Sequence, residues 1–272
     1  MARYLLSFRY EGRNFFGSQK QPDRRTVQEE LNKAICTLIK NNSTKIIMAG
    51  RLDRGVNAEC HTAHFDTVNP VEDEFKFLNA LNAILPDDIA AFKILKVDDN
   101  FHAQKNALFR HYRYTIKNSF VKPVFNKNVL FVKKPLDFKL MNEAILKIIG
   151  EHDFSAFKSI SDNPSTVCTI YFANVEQRII NNGEGCYLDI NIVGNRFLYN
   201  MVRSIVGTLL MIEKDNLSPS VMSEILKSKN RALAGHNVEP YGLTLIKTGY
   251  ENPYEYINKH LNNKERQINE DI

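Results

Sequence analysis

Chemistry is concentrated in one short stretch, Ile47 to Phe65, IMAGRLDRGVNAECHTAHF. It holds an acid, Asp53, flanked by Arg51 and Arg54, with Gly50 and Gly55 closing the cluster and apolar, strand-like segments on either side. The two glycines let the chain turn sharply, and a carboxylate on such a loop projects from the strand ends, where it can serve as nucleophile or base. A loop aspartate ordinarily caps or turns, so its company decides. In LFRHYRYTI, Leu108 to Ile116, period-2 alternation puts Arg110, Tyr112 and Tyr114 on one face of a strand. Arginines and tyrosines interleaved in this way hold a backbone phosphate and stack on a base, the latter worth roughly 1–3 kcal/mol. The same pattern also describes an amphipathic strand with its tyrosines in a core. In NRFLYNMVRSIVGTLLMI, helical spacing aligns Arg203 with Tyr199, Val206 and Leu210, which lays a guanidinium along an apolar stripe. Buried there it needs a partner; otherwise it snorkels to water.

The elements that must position these residues read as a repeated order. Residues 2 to 10 alternate as a strand, and Thr26-Val-Gln-Glu29 forms a capping box that opens a helix running to about Lys40. Strands near 44 to 51 and 60 to 67, a helix over Glu74 to Leu85 and a strand over Ile89 to Val97 complete β-α-β-β-α-β, the ferredoxin-like unit. A strand over Leu108 to Lys117, a satellite near 128 to 133 and a helix from Phe138 to Ile149, ended by Gly150, begin the order again. Strands Val167 to Ile179 and Tyr187 to Val193 flank Asn182-Gly183, a hairpin signal. Helical patterns near 196 to 212 and 218 to 228 precede a last strand, Leu243 to Thr248. The expected division is an N-terminal domain over 1–105, a C-terminal domain over 106–250, and a weakly packed polar tail over 251–272.

Composition narrows the function. With 272 residues, 43% of them hydrophobic, the chain builds a real core. No window has the roughly 18 uncharged apolar residues of a membrane span, and the N-terminus enters a strand with no signal-peptide pattern, so a cytoplasmic protein is expected. Cys36, Cys60, Cys168 and Cys186 are widely spaced, which favours neither a zinc site nor a disulfide framework. From Phe101 to Pro135 there are eight Lys or Arg and no acid, an arrangement suited to a phosphate-rich partner. Walker, dinucleotide, GxSxG and zinc-deaminase signatures are missing. A metal-dependent nuclease would have to draw on Asp53, His61, His64 and Asp66, and strand alternation is expected to part His64 from His61 and Asp66.

Gly50-Arg51-Leu52-Asp53-Arg54-Gly55-Val56-Asn57-Ala58 resembles the GRTDxGVHA motif of the TruA family of tRNA pseudouridine synthases. Further matches follow in family order: Thr26-Val27-Gln28, Leu81-Asn82, Phe101-His102-Ala103, Arg110-His111-Tyr112-Arg113-Tyr114, His152 to Phe157, Met201-Val202-Arg203, Ala234-Gly235 and Gly242-Leu243. Together they span roughly residues 3 to 250. The resemblance implies an α+β pseudouridine synthase fold of two RRM-like halves joined through an extended sheet around a basic cleft. It implies a homodimer that isomerises uridine to pseudouridine at positions 38 to 40 of the tRNA anticodon arm, with no cofactor and no metal. Asp53 is then the nucleophile, which either attacks C1′ or assists a glycal route. Tyr112 is the active-site tyrosine, Arg203 pairs with the aspartate, and Arg51 helps displace the flipped base, while Arg110, Arg113 and Tyr114 bind substrate.

This chain departs from the family pattern at Ser18, where an aromatic residue is usual, at Leu52 (Thr), Asn57 (His), Gln104 (Arg) and Cys168 (Arg), and over His236 to Pro240, where small residues are usual. These positions touch the RNA-binding surround and leave Asp53, Tyr112 and Arg203 in place. A non-catalytic RNA-binding or RNA-folding protein on the same fold is the alternative. Asp53 tells the two apart, because binding a polyanion has no use for a carboxylate.

Overall fold

Alternating apolar residues in ARYLLSFRY extend as strand β1 (Ala2–Tyr10), and in the computed structural model Leu6 and Phe8 are fully buried. Residues 1–159, 165–180 and 183–261 are described. The chain divides into one unit of Met1–Ala107 with Thr244–Thr248, and a second of Leu108–Leu243 with the chain from Gly249.

The first unit follows the expected order, with α1 (Val27–Ile39), β2 (Ile47–Met48), β3 (Asn57–Thr67), α2 (Glu74–Ile84) and β4 (Ile89–Val97). Its strands run β4-β1-β3, all antiparallel, with β2 on the far edge of β3. Helix α1 begins where the sequence places it, but not by the predicted chemistry. Thr26 makes no capping bond and its buried hydroxyl has no partner, so the helix rests on the burial of Val27, Leu31, Ala34 and Ile35. Helix α2 is capped as such helices usually are, Asp73 Oδ1 accepting from Lys76 N at 3.0 Å. Strand β2 is shorter than expected because α1 takes the backbone of Ile46: Asn32 Oδ1 accepts from its N–H, and Gln28 Nε2 donates to its carbonyl.

The second unit holds β5 (Phe109–Ser119), β6 (Leu130–Val132), α3 (Phe138–Ile145), β7 (Gly150–Asp153), β8 (Val167–Ile179), β9 (Gly185–Gly194), α4 (Met201–Lys214), α5 (Ser220–Ser228), β10 (Leu243–Gly249) and α6 (Pro253–His260). Strands β5-β9-β8-β7 form an antiparallel sheet, and β6 lies parallel to β5. Within β10, Thr244 and Leu245 pair in parallel with Asn57 and Ala58, so the middle of this strand belongs to the first unit. Gly150, expected only to stop a helix, opens β7 with φ +112°. The β8 and β9 strands pair as the hairpin signal requires, although Asn182 itself lies outside the described residues.

The tail is corrected. Residues 253 to 260 form α6, whose Tyr256 and Ile257 pack with Leu261 against Phe109 and Val193 of the β5-β9 sheet. Tyr256 also meets the buried His111 through its hydroxyl at 2.9 Å. Three apolar residues at helical spacing within an Asn- and Lys-rich segment bury one face. Residues 262–272 lie outside the described part.

Candidate active site

Asp53 sits half-buried on the loop between β2 and β3, and the backbone of that loop is fixed from several sides. Gly55 takes φ +81°, which lets Val56 N close a turn onto Asp53 O at 3.2 Å. Residues before the carboxylate are held by Ser18. Its N–H donates to Leu52 O at 2.9 Å, and its hydroxyl accepts from Leu52 N at 2.8 Å. After the carboxylate, Asn57 Oδ1 accepts from Gly12 N at 2.8 Å. A Cβ on Gly12 would stand 2.1 Å from Val56 O, so only glycine permits this approach. Gly50, expected to matter for turning, has an open surround and no positive φ.

Two of the departures from the family pattern, Ser18 and Asn57, therefore hold the loop of the acid through their side chains, and a third, Leu52, takes part through its backbone. Ser18 and Leu52 bond reciprocally, both buried, and Asn57 ties the loop to the turn after β1. The sequence marks them only as changed residues. Their pairing was not visible because Ser18 and Leu52 are 34 positions apart.

Apart from Arg51, the remaining residues lie in the second unit. On β5, whose register with β9 is unbroken from Arg110 to Ser119, Arg110 and Tyr112 are half-buried. The Tyr112 ring meets Phe197 edge-on, with centroids 4.8 Å apart and planes at 78°. Arg110 Nη1 donates to Asn195 O at 2.8 Å, and burial draws its guanidinium below the usual range, with the charge of Arg196 adding to the effect. Arg113 is half-buried opposite Asn191, and in the first unit Arg51 is exposed.

Tyr114 is corrected. It is fully buried, and its hydroxyl donates to Glu239 O at 2.8 Å, leaving no ring surface for a base. Burial raises its pKa, the charge of Arg203 opposing. Of the two readings of the tyrosine stripe, residue 114 fits the core.

Arg203 enters on the first turn of α4, a helix that begins later than the sequence pattern suggests. Asn200, at φ +61°, breaks the run, and Tyr199 stays outside the helix and exposed. The guanidinium is gripped: Nε donates to Val238 O at 2.7 Å and Nη1 to Asn200 Oδ1 at 2.8 Å. Asn200 Nδ2 in turn donates to Ser159 Oγ at 3.0 Å. Segment 234–238 can reach α4 because Gly207 has no side chain; a Cβ there would lie 1.8 Å from His236 O. Gly235 N donates to Thr208 Oγ1 at 2.8 Å, which seats the same segment. Arg203 and Tyr114 thus hang from consecutive carbonyls, those of Val238 and Glu239.

His64 and Asp66 on β3 are occupied structurally. Asp66 takes Arg3 in a bidentate pair at 2.7 and 2.8 Å, and His64 Nδ1 accepts from Ala103 N at 3.2 Å. His64 and Asp66, two residues apart on a regular strand and both facing Arg3, share a face, contrary to the expectation that alternation parts them. Among the described residues no group of three His, Cys, Asp or Glu side chains is arranged to hold a metal. Nor is any helix among them long and apolar enough to cross a membrane.

Comparison with known proteins agrees with the motif. A family model described as tRNA pseudouridine synthase matches residues 6–104 and 144–251, so Asp53 and Arg203 fall in the matched blocks and Tyr112 between them. The tRNA pseudouridine synthase A 1 of Bacillus cereus is 39% identical over 254 residues, covering 93% of this chain and all of the relative. The tRNA pseudouridine synthase A of Thermoanaerobacter sp. is 39% identical over 252 residues, 92% of this chain and 100% of the relative. That of Colwellia psychrerythraea is 36% identical over 255 residues, 93% and 95% respectively.

Proposed function

This chain belongs to the tRNA pseudouridine synthase family, and from that premise we propose that it isomerises uridine to pseudouridine in the anticodon arm of tRNA, at positions 38 to 40, with Asp53 as nucleophile. The observation that carries the reading is Asp53 itself, a half-buried carboxylate on a backbone fixed by Gly12, Ser18, Gly55 and Asn57 in a protein of net charge +5. Such rigidity suits a group that has to meet a reacting atom rather than cover a surface.

The reaction breaks the N1–C1′ bond, turns the freed uracil, and joins C5 to C1′. The C5 proton leaves to water and N1 gains one, so nothing is added overall and no cofactor is required. A uridine stacked in RNA must first be flipped out, at a cost of a few kcal/mol. Arg51, exposed at the head of the loop, fills the space it leaves. Asp53 must be ionised yet poorly hydrated, a combination that burial alone opposes. Arg203 supplies the opposing charge; Val238 and Asn200 take two of its five N–H groups. Tyr112 presents a half-buried ring for stacking and a hydroxyl for proton transfer. Arg110 and Arg113 take the RNA backbone. The enzyme works in the cytoplasm as a homodimer.

The test is tritium release from tRNA transcripts carrying uridine labelled at C5. Asp53→Asn keeps tRNA affinity and loses turnover by on the order of 10⁴-fold or more. Equal release from both proteins places the chemistry on a residue other than Asp53, whereas no release from wild type leaves the RNA-binding reading.

A further inference from the structure

We infer that Arg24 and Arg54, gathered on the ring of Phe16, form a binding site for a phosphodiester group of the RNA substrate; the identity of that ligand rests on the reading above. The Arg54 guanidinium lies 4.4 Å from the Phe16 ring centroid, and that of Arg24 lies 4.6 Å from it. Each contact is a cation–π interaction, the face of the ring attracting the guanidinium charge. Two cations on one ring also repel each other, and an anion lying against both reverses the sign of that term.

Neighbouring arginines are satisfied differently. Arg25 lies over Phe15 and spends both Nη groups on Asp88, each at 2.8 Å. Arg3 is likewise paired, with Asp66. Among the described residues Arg24 and Arg54 make no ion pair, although Asp23 and Asp53 are their immediate neighbours in sequence, and both guanidinium groups are exposed. They are the pair in this unit whose charge is placed but unspent.

The placement is built rather than incidental. Phe16 N donates to Arg25 O at 2.9 Å, and Gln21 Nε2 donates to Phe16 O at 2.6 Å, so the segment carrying Phe16 and Arg24 closes on itself. One residue on, Gly17 takes φ +95°, and a Cβ there would stand 2.9 Å from Leu52 O. Ser18 then bonds Leu52 in both directions, which fixes the segment to the loop that carries Arg54. The serine hydroxyl at position 18 adds the second bond of this docking, since a phenylalanine or tryptophan side chain there could not accept from Leu52 N. The ring that gathers the two arginines comes from position 16 instead.

An anion bound here sits one residue from Asp53, in the same unit and on the same loop. Guanidinium groups bind phosphate through charge-assisted, often bidentate hydrogen bonds. A phosphodiester is the form of that anion which a polynucleotide presents repeatedly, and held here it would fix the RNA strand beside the acid.

The experiment measures tRNA affinity against salt for wild type, Arg24→Gln, Arg54→Gln and the double variant, with thermal unfolding to confirm that each is folded. Neutralised phosphates contribute to the slope of log K against log salt, close to one unit each. The expected result is weaker binding, on the order of tenfold for the double variant at low salt, and a slope shallower by about one. Phe16→Leu, which keeps both charges but removes the ring that gathers them, weakens binding by less than the double variant. Inorganic phosphate added at constant ionic strength competes with tRNA for wild type more than for the double variant. An unchanged slope in the double variant overturns the proposal, leaving the arginines as cover for Phe16. Asp53→Asn serves as the separating control. If it retains turnover the functional reading falls, while the phosphate site is judged on the slope alone.

Discussion

Asp53 and Arg203 are held by opposite means. In the first unit the backbone is fixed and the carboxylate rides on it: Ser18 bonds the peptide groups of Leu52 just before residue 53, and Asn57 just after it ties the loop to the N–H of Gly12. In the second unit the functional group itself is gripped, its Nε by Val238 O and its Nη1 by Asn200. Both regions use a glycine where two backbones meet, Gly12 against Val56 and Gly207 against His236. The difference follows from side-chain length. An aspartate has two torsions and goes where its loop goes, whereas an arginine keeps about 2 kcal/mol of rotamer entropy until something holds its end.

The largest effects are expected at the two glycines. Gly207→Ala brings a methyl group to 1.8 Å from His236 O inside a helix whose Ile205, Val206 and Leu209 are fully buried, so α4 cannot yield. Alanine's better helix propensity recovers only about 1 kcal/mol. A net loss of about 3 kcal/mol is expected, read as a lower denaturant midpoint. Gly12→Ala, with its contact at 2.1 Å to Val56 O in a turn, costs somewhat less because a turn shifts more easily than a packed helix. A normal midpoint for Gly207→Ala would mean that segment 234–238 is not seated on α4.

Next in size are the polar supports, where the two regions separate. Asn57→Ala leaves the buried N–H of Gly12 without its acceptor, which costs about 1–3 kcal/mol. Asn200→Gly suits the backbone, since φ +61° is glycine's territory, so stability changes by less than about 1 kcal/mol. It does remove the acceptor for Arg203 Nη1, and turnover falls by on the order of 10- to 100-fold. Asn57→Ala thus shows mainly in unfolding, Asn200→Gly mainly in kcat. If Asn200→Gly unfolds as easily as Asn57→Ala and turns over normally, the grip on Arg203 has no functional meaning.

The same contrast explains what the sequence disclosed. Periodicity found β1, α1, α2, β4, β8 and α5 nearly to the residue, because each buries one regular stripe. The aspartate loop was visible as a motif of adjacent residues. Its supports were not, since Ser18, Gly12 and Asn57 are joined only by folding. Tyr114 was misread because alternation reports which face a residue shares and not how deeply that face is covered. The sequence pattern begins helix α4 too early because Asn200, a residue tolerant of the left-handed region, breaks it without a glycine or proline to announce the break. The polar composition of residues 250 to 261 hid three apolar positions that cover Phe109 and His111.

The two units also part by pH. His64 is buried, accepts from Ala103 N and lies 4.9 Å from the ring of His102; burial first, then the charges of Arg3 and His102, bring its pKa down to about 4, Asp66 opposing. The unfolded chain regains the ordinary value of about 6.5, so between these limits the unfolded state holds a proton that the folded state lacks. Stability from this group is therefore complete above about pH 6.5 and is lost progressively as pH falls toward 4, by on the order of 2 kcal/mol. Asp153 of the second unit behaves otherwise. Burial would raise its pKa, but hydrogen bonds from Thr166 and Ser155 and the ammonium of Lys229 at 3.1 Å hold it well below the carboxylate range. Its contribution persists through pH 5 and fails only in stronger acid. Hydrogen exchange at pH 7 and pH 5, corrected for intrinsic rates, should show β1 and β3 losing protection while β8 and β9 keep theirs. His64→Gln, which keeps an acceptor but cannot titrate, should remove the difference. Equal losses in both units would assign the acid sensitivity to some other group.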